Sequence, residues 1–78
     1  MNEPDFNKIH EQIGANVAQY RKEAGMSQLE LSLKLGHKSV SIVASAERNY
    51  QGKHFNINHL FQIAAILEID VCVLINVK

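Results

Sequence analysis

Apolar residues recur along the first part of the chain at three- and four-residue steps. Ile9, Ile13, Val17, Tyr20 and Ala24 share one stripe of a first helix, with Pro4 and Asp5 suited to its start. Gly25 is a natural left-handed stop. Ser27 followed three residues later by Glu30 forms a capping box, in which the hydroxyl takes a helix amide and the carboxylate returns to the cap amide. It opens a short second helix with Leu31, Ser32 and Leu35 inward, closed by Gly36. Ser39 reads as the N-cap of a short third helix, whose Val43 and Ala46 face the core and which ends near Arg48 or Asn49. The segment from Tyr50 to Phe55 has no helical period, contains Gly52 and reads as a loop. Asn56 can cap a fourth helix with Leu60, Ile63, Ala64 and Leu67 inward and Phe61 and Ala65 on an adjacent stripe. A helix apolar over so wide an arc packs against two partners, here the domain core and a second subunit.

The period then changes. Ile69, Val71, Val73, Ile75 and Val77 alternate with Asp70, Cys72, Leu74, Asn76 and Lys78, the two-residue repeat of a strand rich in β-branched residues. A lone strand needs a ladder partner, and no other segment of the chain supplies one. The strand reading therefore implies pairing with the same segment of a second copy across a two-fold axis. The rival reading is a short fifth helix capped by Asp70, with Leu74 and Ile75 packing inward; both stay open. No internal repeat or low-complexity tract is visible.

At 78 residues the chain is one domain, with a core over 9–69 and a terminal element over 70–77, near the lower limit for a core without staples. A hydrophobic share of 46% with 21% charged residues marks it as folded rather than disordered. The single cysteine, Cys72, excludes an intramolecular disulfide and fits a reducing compartment, which points to the cytosol. No apolar run approaches the roughly 18 residues of a membrane span, and the acidic, polar start is unlike a signal peptide. Neither membrane insertion nor secretion is expected.

Eight basic against eight acidic residues give a net charge of zero, but they are unevenly placed. Residues 34–60 hold Lys34, Lys38, Arg48 and Lys53 against Glu47 alone, whereas acidic residues outnumber basic ones on either side. Taken alone, such a cluster is usually a solvated face. His10, His37, His54, His59 and Cys72 match no compact metal-ligand spacing, so no metal is expected. No nucleophile stands with a base in a recognisable arrangement and no glycine loop cradles a phosphate, so neither an enzyme nor a cofactor is expected.

Two short helices joined by a tight turn, the second with few bulky groups, allow a helix end to enter the DNA major groove. Arg21, Gly25-Met26-Ser27-Gln28, Leu31, Leu35-Gly36, Val43 and Ala46-Glu47, then Asn56, Leu60, Ile63-Ala64 and Leu67, resemble the Cro/repressor-type (Xre-like) helix-turn-helix family. The resemblance covers about residues 9–69. It implies an all-α, four- to five-helix lambda-repressor-like domain that binds double-stranded DNA as a transcriptional regulator. It also implies that Gln28 donates to a backbone phosphate and braces the recognition helix, and that Arg21 and Glu47 form a structural ion pair.

The turn carries one residue more than the most frequent family spacing: Gly36-His37-Lys38-Ser39-Val40-Ser41, a longer-turn form. With Val43 and Ala46 inward, Ser39, Val40, Ser41, Ile42, Ala44 and Ser45 lie nearer the groove, and none is Arg, Asn or Gln. What remains is methyl contact from Val40 with thymine and hydroxyl contacts from Ser41 and Ser45. Lys38 in the turn, with Arg48, Asn49, Lys53 and His54 beyond the helix, would reach phosphates or a groove edge.

Two functional classes follow. The first is a homodimeric repressor, joined through Phe61, Ala65 and residues 70–77, with recognition helices about 34 Å apart. The second is a protein-interaction module such as an antitoxin that also binds its own operator, since a helix-then-strand ending looks like that of HipB-type antitoxins. Leu29 and Leu33 occupy positions normally polar in the family. They are either covered by residues around Phe6 or open to a protein partner.

Overall fold

A computed structural model describes residues 5–77; Pro4 and Lys78, used in the readings above, lie outside them. The described chain forms five helices and one 3-10 turn, Tyr50–Gly52: α1 (Phe6–Glu23), α2 (Gln28–Lys34), α3 (Ser41–Glu47), α4 (Ile57–Leu67) and α5 (Val71–Leu74). The all-α, lambda-repressor-like expectation holds, with no strand among the described residues. None of these helices is long and apolar enough to cross a membrane.

Local chemistry sets most boundaries. Asp5 accepts from the Lys8 amide at 3.2 Å and opens α1. Gly25, at φ +70°, ends it, and the Met26 amide turns back to the Arg21 carbonyl at 3.1 Å. The capping box of α2 is complete: the Glu30 amide donates to Ser27 Oγ at 3.0 Å and the Ser27 amide to Glu30 Oε1 at 3.1 Å. The Ser27 amide, and after it the Ser27 hydroxyl, hold the Glu30 carboxyl below its usual range. α3 begins one residue later than the Ser39 cap implies. Val40 holds the cap position without a side-chain bond, and Ser39 Oγ accepts from the Ser41 amide at only 3.4 Å. The extra residue of the turn is absorbed as bends over residues 38–40. α4 opens with Asn56 Oδ1 accepting from the His59 amide at 2.7 Å, while His59 Nδ1 accepts from the Asn56 amide at 3.3 Å.

All five helices contribute to the core. Ile13, Val17, Leu31, Val43, Leu60, Ile63 and Leu67 are buried at its centre, and Ile9, Tyr20 and Leu35 lean against it from the rim. Ala24 falls past the end of α1 and is exposed. Phe55, read as part of a plain loop, is instead a core residue, so the connection from α3 to α4 is pinned at its far end.

The alternating C-terminal segment is a helix, not a strand. Asp70 accepts from the Cys72 amide at 2.9 Å and starts the turn of α5, and Leu74 is fully buried. Asn16, buried on α1, donates through Nδ2 to the Leu74 carbonyl at 2.9 Å and the Asn76 carbonyl at 3.0 Å. Gln12 Nε2 donates to Asn16 Oδ1 at 2.9 Å and fixes that amide. Carbonyls that a strand would offer to a second copy are thus satisfied within the chain. Ile75, expected inward beside Leu74, is exposed.

α1 and α3 cross with backbone against backbone. A Cβ at Gly14 would stand 2.5 Å from the Ala46 carbonyl oxygen and 2.6 Å from that of Glu47, so only glycine permits this approach. It fixes where α3 lies.

Candidate nucleic-acid interface

The end of α3 is tied to the two helices before it through one buried carboxylate. Arg21 Nε donates to Glu47 Oε2 at 2.7 Å and Nη2 donates to Oε1 at 3.1 Å, a bidentate pair between α1 and α3. Arg21 Nη1 donates to the Met26 carbonyl at 2.7 Å, anchoring the linker into α2. Gln28, in the first turn of α2, donates through Nε2 to Glu47 Oε1 at 2.9 Å. Its amide is therefore held against α3, with one N–H left over for an outside acceptor. Because Glu47 is buried and neutralised, the exposed charge of residues 34–60 is entirely cationic: Lys34, Lys38, Arg48 and Lys53.

On α3, Val43, Ala46 and Glu47 face inward, which leaves Ser41, Ser45 and Arg48 on the opposite side with Ile42 and Ala44 on its flanks. Ser39, Val40, Ser41 and Ile42 are exposed, and Ser45 is half-buried. Ser39 Oγ donates to Ser41 Oγ at 3.2 Å, so these hydroxyls partly satisfy each other. Lys38 and Lys53 are exposed, and the Arg48 guanidinium lies 5.4 Å from the centre of the Tyr50 ring.

Two residues grouped with this set are drawn toward α1. Asn49, at φ +51°, donates through Nδ2 to the Asn7 carbonyl at 3.3 Å. His54 stacks on His10 with ring centres 3.8 Å apart and planes 16° from parallel, while its Nδ1 lies 3.0 Å from the Gly52 carbonyl. Gln28 and the Arg21–Glu47 pair thus form one bonded network, and Lys53 and His54 share a hollow with Ile42 and Ala46 of α3, whereas the Asn49 amide pins the chain back onto α1.

A helix-turn-helix family model matches residues 17–74. The chain belongs to the Cro/repressor-type helix-turn-helix family. Over 66 residues it is 41% identical to the HTH-type transcriptional regulator SinR of Bacillus licheniformis and 39% identical to SinR of Bacillus subtilis. The alignment takes in 85% of this chain and 58% of each relative, so the chain spans less than two thirds of their length. The matching family and relatives are transcription regulators, not enzymes.

Within this helix-turn-helix frame several supporting residues escape a reading by motif. The four histidines stand in two pairs, His10 with His54 and His37 with His59. His10 is held below the usual imidazole range by burial and by His54 beside it; His59 is held low by burial and by His37, whose ring centre is 5.6 Å away. Neutral His59 is also the form whose Nδ1 caps α4. The Asn-x-x-His spacing lies outside the usual Ser/Thr-x-x-Glu box, so the signal was weak. Gly14, alone in the middle of a long helix, was the one local hint of a close backbone approach.

Proposed function

We propose that the chain is a sequence-specific, double-stranded-DNA-binding transcriptional regulator that works as a cytosolic homodimer and represses by occluding a promoter. The observation that carries this reading is α3: an exposed run of small side chains, braced by the buried Arg21–Glu47 pair, in a field where every exposed charge of residues 34–60 is positive. α3 lies in the major groove, with Ser39, Val40, Ser41 and Ser45 toward base edges. Gln28 donates its remaining N–H to a phosphate, and Lys38, Arg48, Lys53 and His54 hold the backbone on either side. Asn49 supports that loop from behind. Phe61 and Ala65, exposed on α4, join two copies together with Ile75 and Val77, without strand pairing. The recognition helices then sit about one DNA turn apart, ~34 Å.

The test is selection of bound duplexes from a random pool at two salt concentrations, with the mass of the bound particle measured alongside. A palindromic consensus held by a dimer is expected, with log affinity falling against log salt at a slope of about −5 for roughly six phosphate contacts. Failure to enrich any sequence would overturn the reading.

A second reading, a protein-interaction module of the antitoxin kind, is favoured by one observation. Leu29 and Leu33 are 49% and 55% exposed, one turn apart on α2, and Phe6, itself 64% exposed, does not cover them. The terminal strand that prompted the comparison is absent from the described chain, which weakens it. Under the first reading Leu29→Gln with Leu33→Gln, which adds no charge, leaves the DNA consensus and affinity unchanged.

A further inference from the structure

We infer that this protein reads pyrimidine C5-methyl groups, chiefly those of thymine, through an aliphatic pair on the recognition segment, Ile42 and Val40. The inference rests on the DNA-binding reading above and names what α3 recognises. Val40 and Ile42 are 37% and 41% exposed, although both are β-branched apolar residues in a chain that buries Val43 completely. The same surface is poor in hydrogen-bond donors. The hydroxyls of Ser39 and Ser41 face each other at 3.2 Å, and Arg48, at the end of α3, has its guanidinium 5.4 Å from the centre of the Tyr50 ring. Among base-pair edges in the major groove, the thymine methyl is the feature an aliphatic side chain can match.

The surroundings of Ile42 decide the occupant. Ile42 and Ala46 form one apolar wall of a hollow of about 340 Å³, faced by Gly52, Lys53, His54 and His59. A cationic rim beside an apolar wall suits a groove edge, where a phosphate stands at the border and a base methyl inside it. A neutral apolar partner helix would leave Lys38, Arg48 and Lys53 uncompensated, because the carboxylate of this segment, Glu47, is already buried against Arg21. Duplex DNA fits both the charge and the apolar pair.

The experiment starts from the selected consensus and replaces thymine by deoxyuridine, one position of each half-site at a time. That substitution removes the methyl and keeps every Watson–Crick hydrogen bond. For the wild-type protein at least one position per half-site should lose about fourfold in affinity per buried methyl, or about 16-fold when both half-sites are changed. Ile42→Ala should bind the thymine site correspondingly more weakly and show no further loss with deoxyuridine at its position; Val40→Ala should do the same at a neighbouring one. Because both side chains are more than a third exposed and lie outside the core, the two variants should stay folded with cooperative thermal melts well above the binding temperature, which separates a lost contact from a lost fold. The inference is overturned if no deoxyuridine substitution matters, or if sensitivity persists unchanged in both variants. A selection that enriches no sequence at all would instead defeat the underlying DNA-binding reading.

Discussion

Gly14→Ala is a one-methyl change behind α3, on its inward side rather than on the proposed DNA surface, yet the structure makes it severe. The new Cβ would meet the Ala46 and Glu47 carbonyl oxygens at 2.5 and 2.6 Å, and the Glu47 carbonyl carbon at 2.9 Å, all backbone atoms that no rotamer change can move. α1 and α3 must separate until these contacts exceed 3.0 Å, and the 2.7 Å Arg21–Glu47 bridge spans the same two helices. Overpacking of this kind costs about 1–3 kcal/mol. Disturbing a buried ion pair adds up to about 3 kcal/mol, while alanine returns about 1 kcal/mol of helix propensity over glycine. The net expectation is a loss of about 2–4 kcal/mol, against a total of about 4–12 kcal/mol for a chain of this size. By the usual conversion for small domains, Tm should fall by about 8–32 °C. Thermal denaturation followed by circular dichroism measures this directly. Gly25→Ala is the contrast: nothing lies within 4 Å of its Cβ, so only the left-handed backbone costs, about 1–2 kcal/mol. If Gly14→Ala proves as stable as the wild type or more so, the backbone-to-backbone crossing that fixes α3 is wrong.

Other measurements probe the remaining supports. Arg21→Met or Glu47→Gln alone should cost about 3 kcal/mol in urea unfolding, whereas Arg21→Met with Glu47→Leu should recover most of it; equal losses in single and double variants would contradict an uncompensated buried charge. Lys53→Ala should flatten the salt dependence of DNA binding by about 2 in slope per dimer, but Gln28→Ala should weaken binding and leave the slope unchanged, because a neutral amide releases no counterion. Acidification should destabilise the fold. His10 and His59 have pKa values below their ordinary 6.5, so the unfolded chain takes up more protons and stability falls as the pH drops below about 6.5. His59→Gln keeps an N3 acceptor for the cap and should shallow that decline; stability flat from pH 7.5 to 5.5 in the wild type would refute the assignment.

Local signals carried most of the element boundaries into view, because they act over three or four residues. The Ser27–Glu30 box, the Gly25 and Gly36 stops and the Asn56 cap each needed nothing beyond neighbouring backbone. The C-terminus was ambiguous for the opposite reason. Its two-residue alternation is real, but which carbonyls find donors depends on Asn16, 58 residues away from Leu74. A buried asparagine on a helix face looks like any other polar residue until its partner is known. Phe55 shows the same limit: a loop residue becomes core only because the 3-10 turn before it redirects the chain inward. At the candidate site the residue types on α3 were legible, whereas the commitments of Asn49 to Asn7 and of His54 to His10 were not, since each joins segments more than 40 residues apart.

α3 is held by three constraints: the glycine-permitted approach to α1, the Arg21–Glu47–Gln28 network, and the burial of Val43 and Ala46. Its outer surface, by contrast, offers short side chains with few hydrogen bonds to give. Short contacts lose strength quickly with displacement, so a surface of this kind discriminates only if the helix that carries it cannot shift. Rigid placement therefore stands in for the long bidentate side chains that α3 lacks, and sequence preference should depend on residues that never approach DNA. On that reasoning, a variant that loosens the brace while leaving the domain folded should relax discrimination among sites more than it weakens binding to any one of them, because the phosphate contacts proposed for Lys38, Arg48 and Lys53 would tolerate displacement and the proposed methyl and hydroxyl contacts would not.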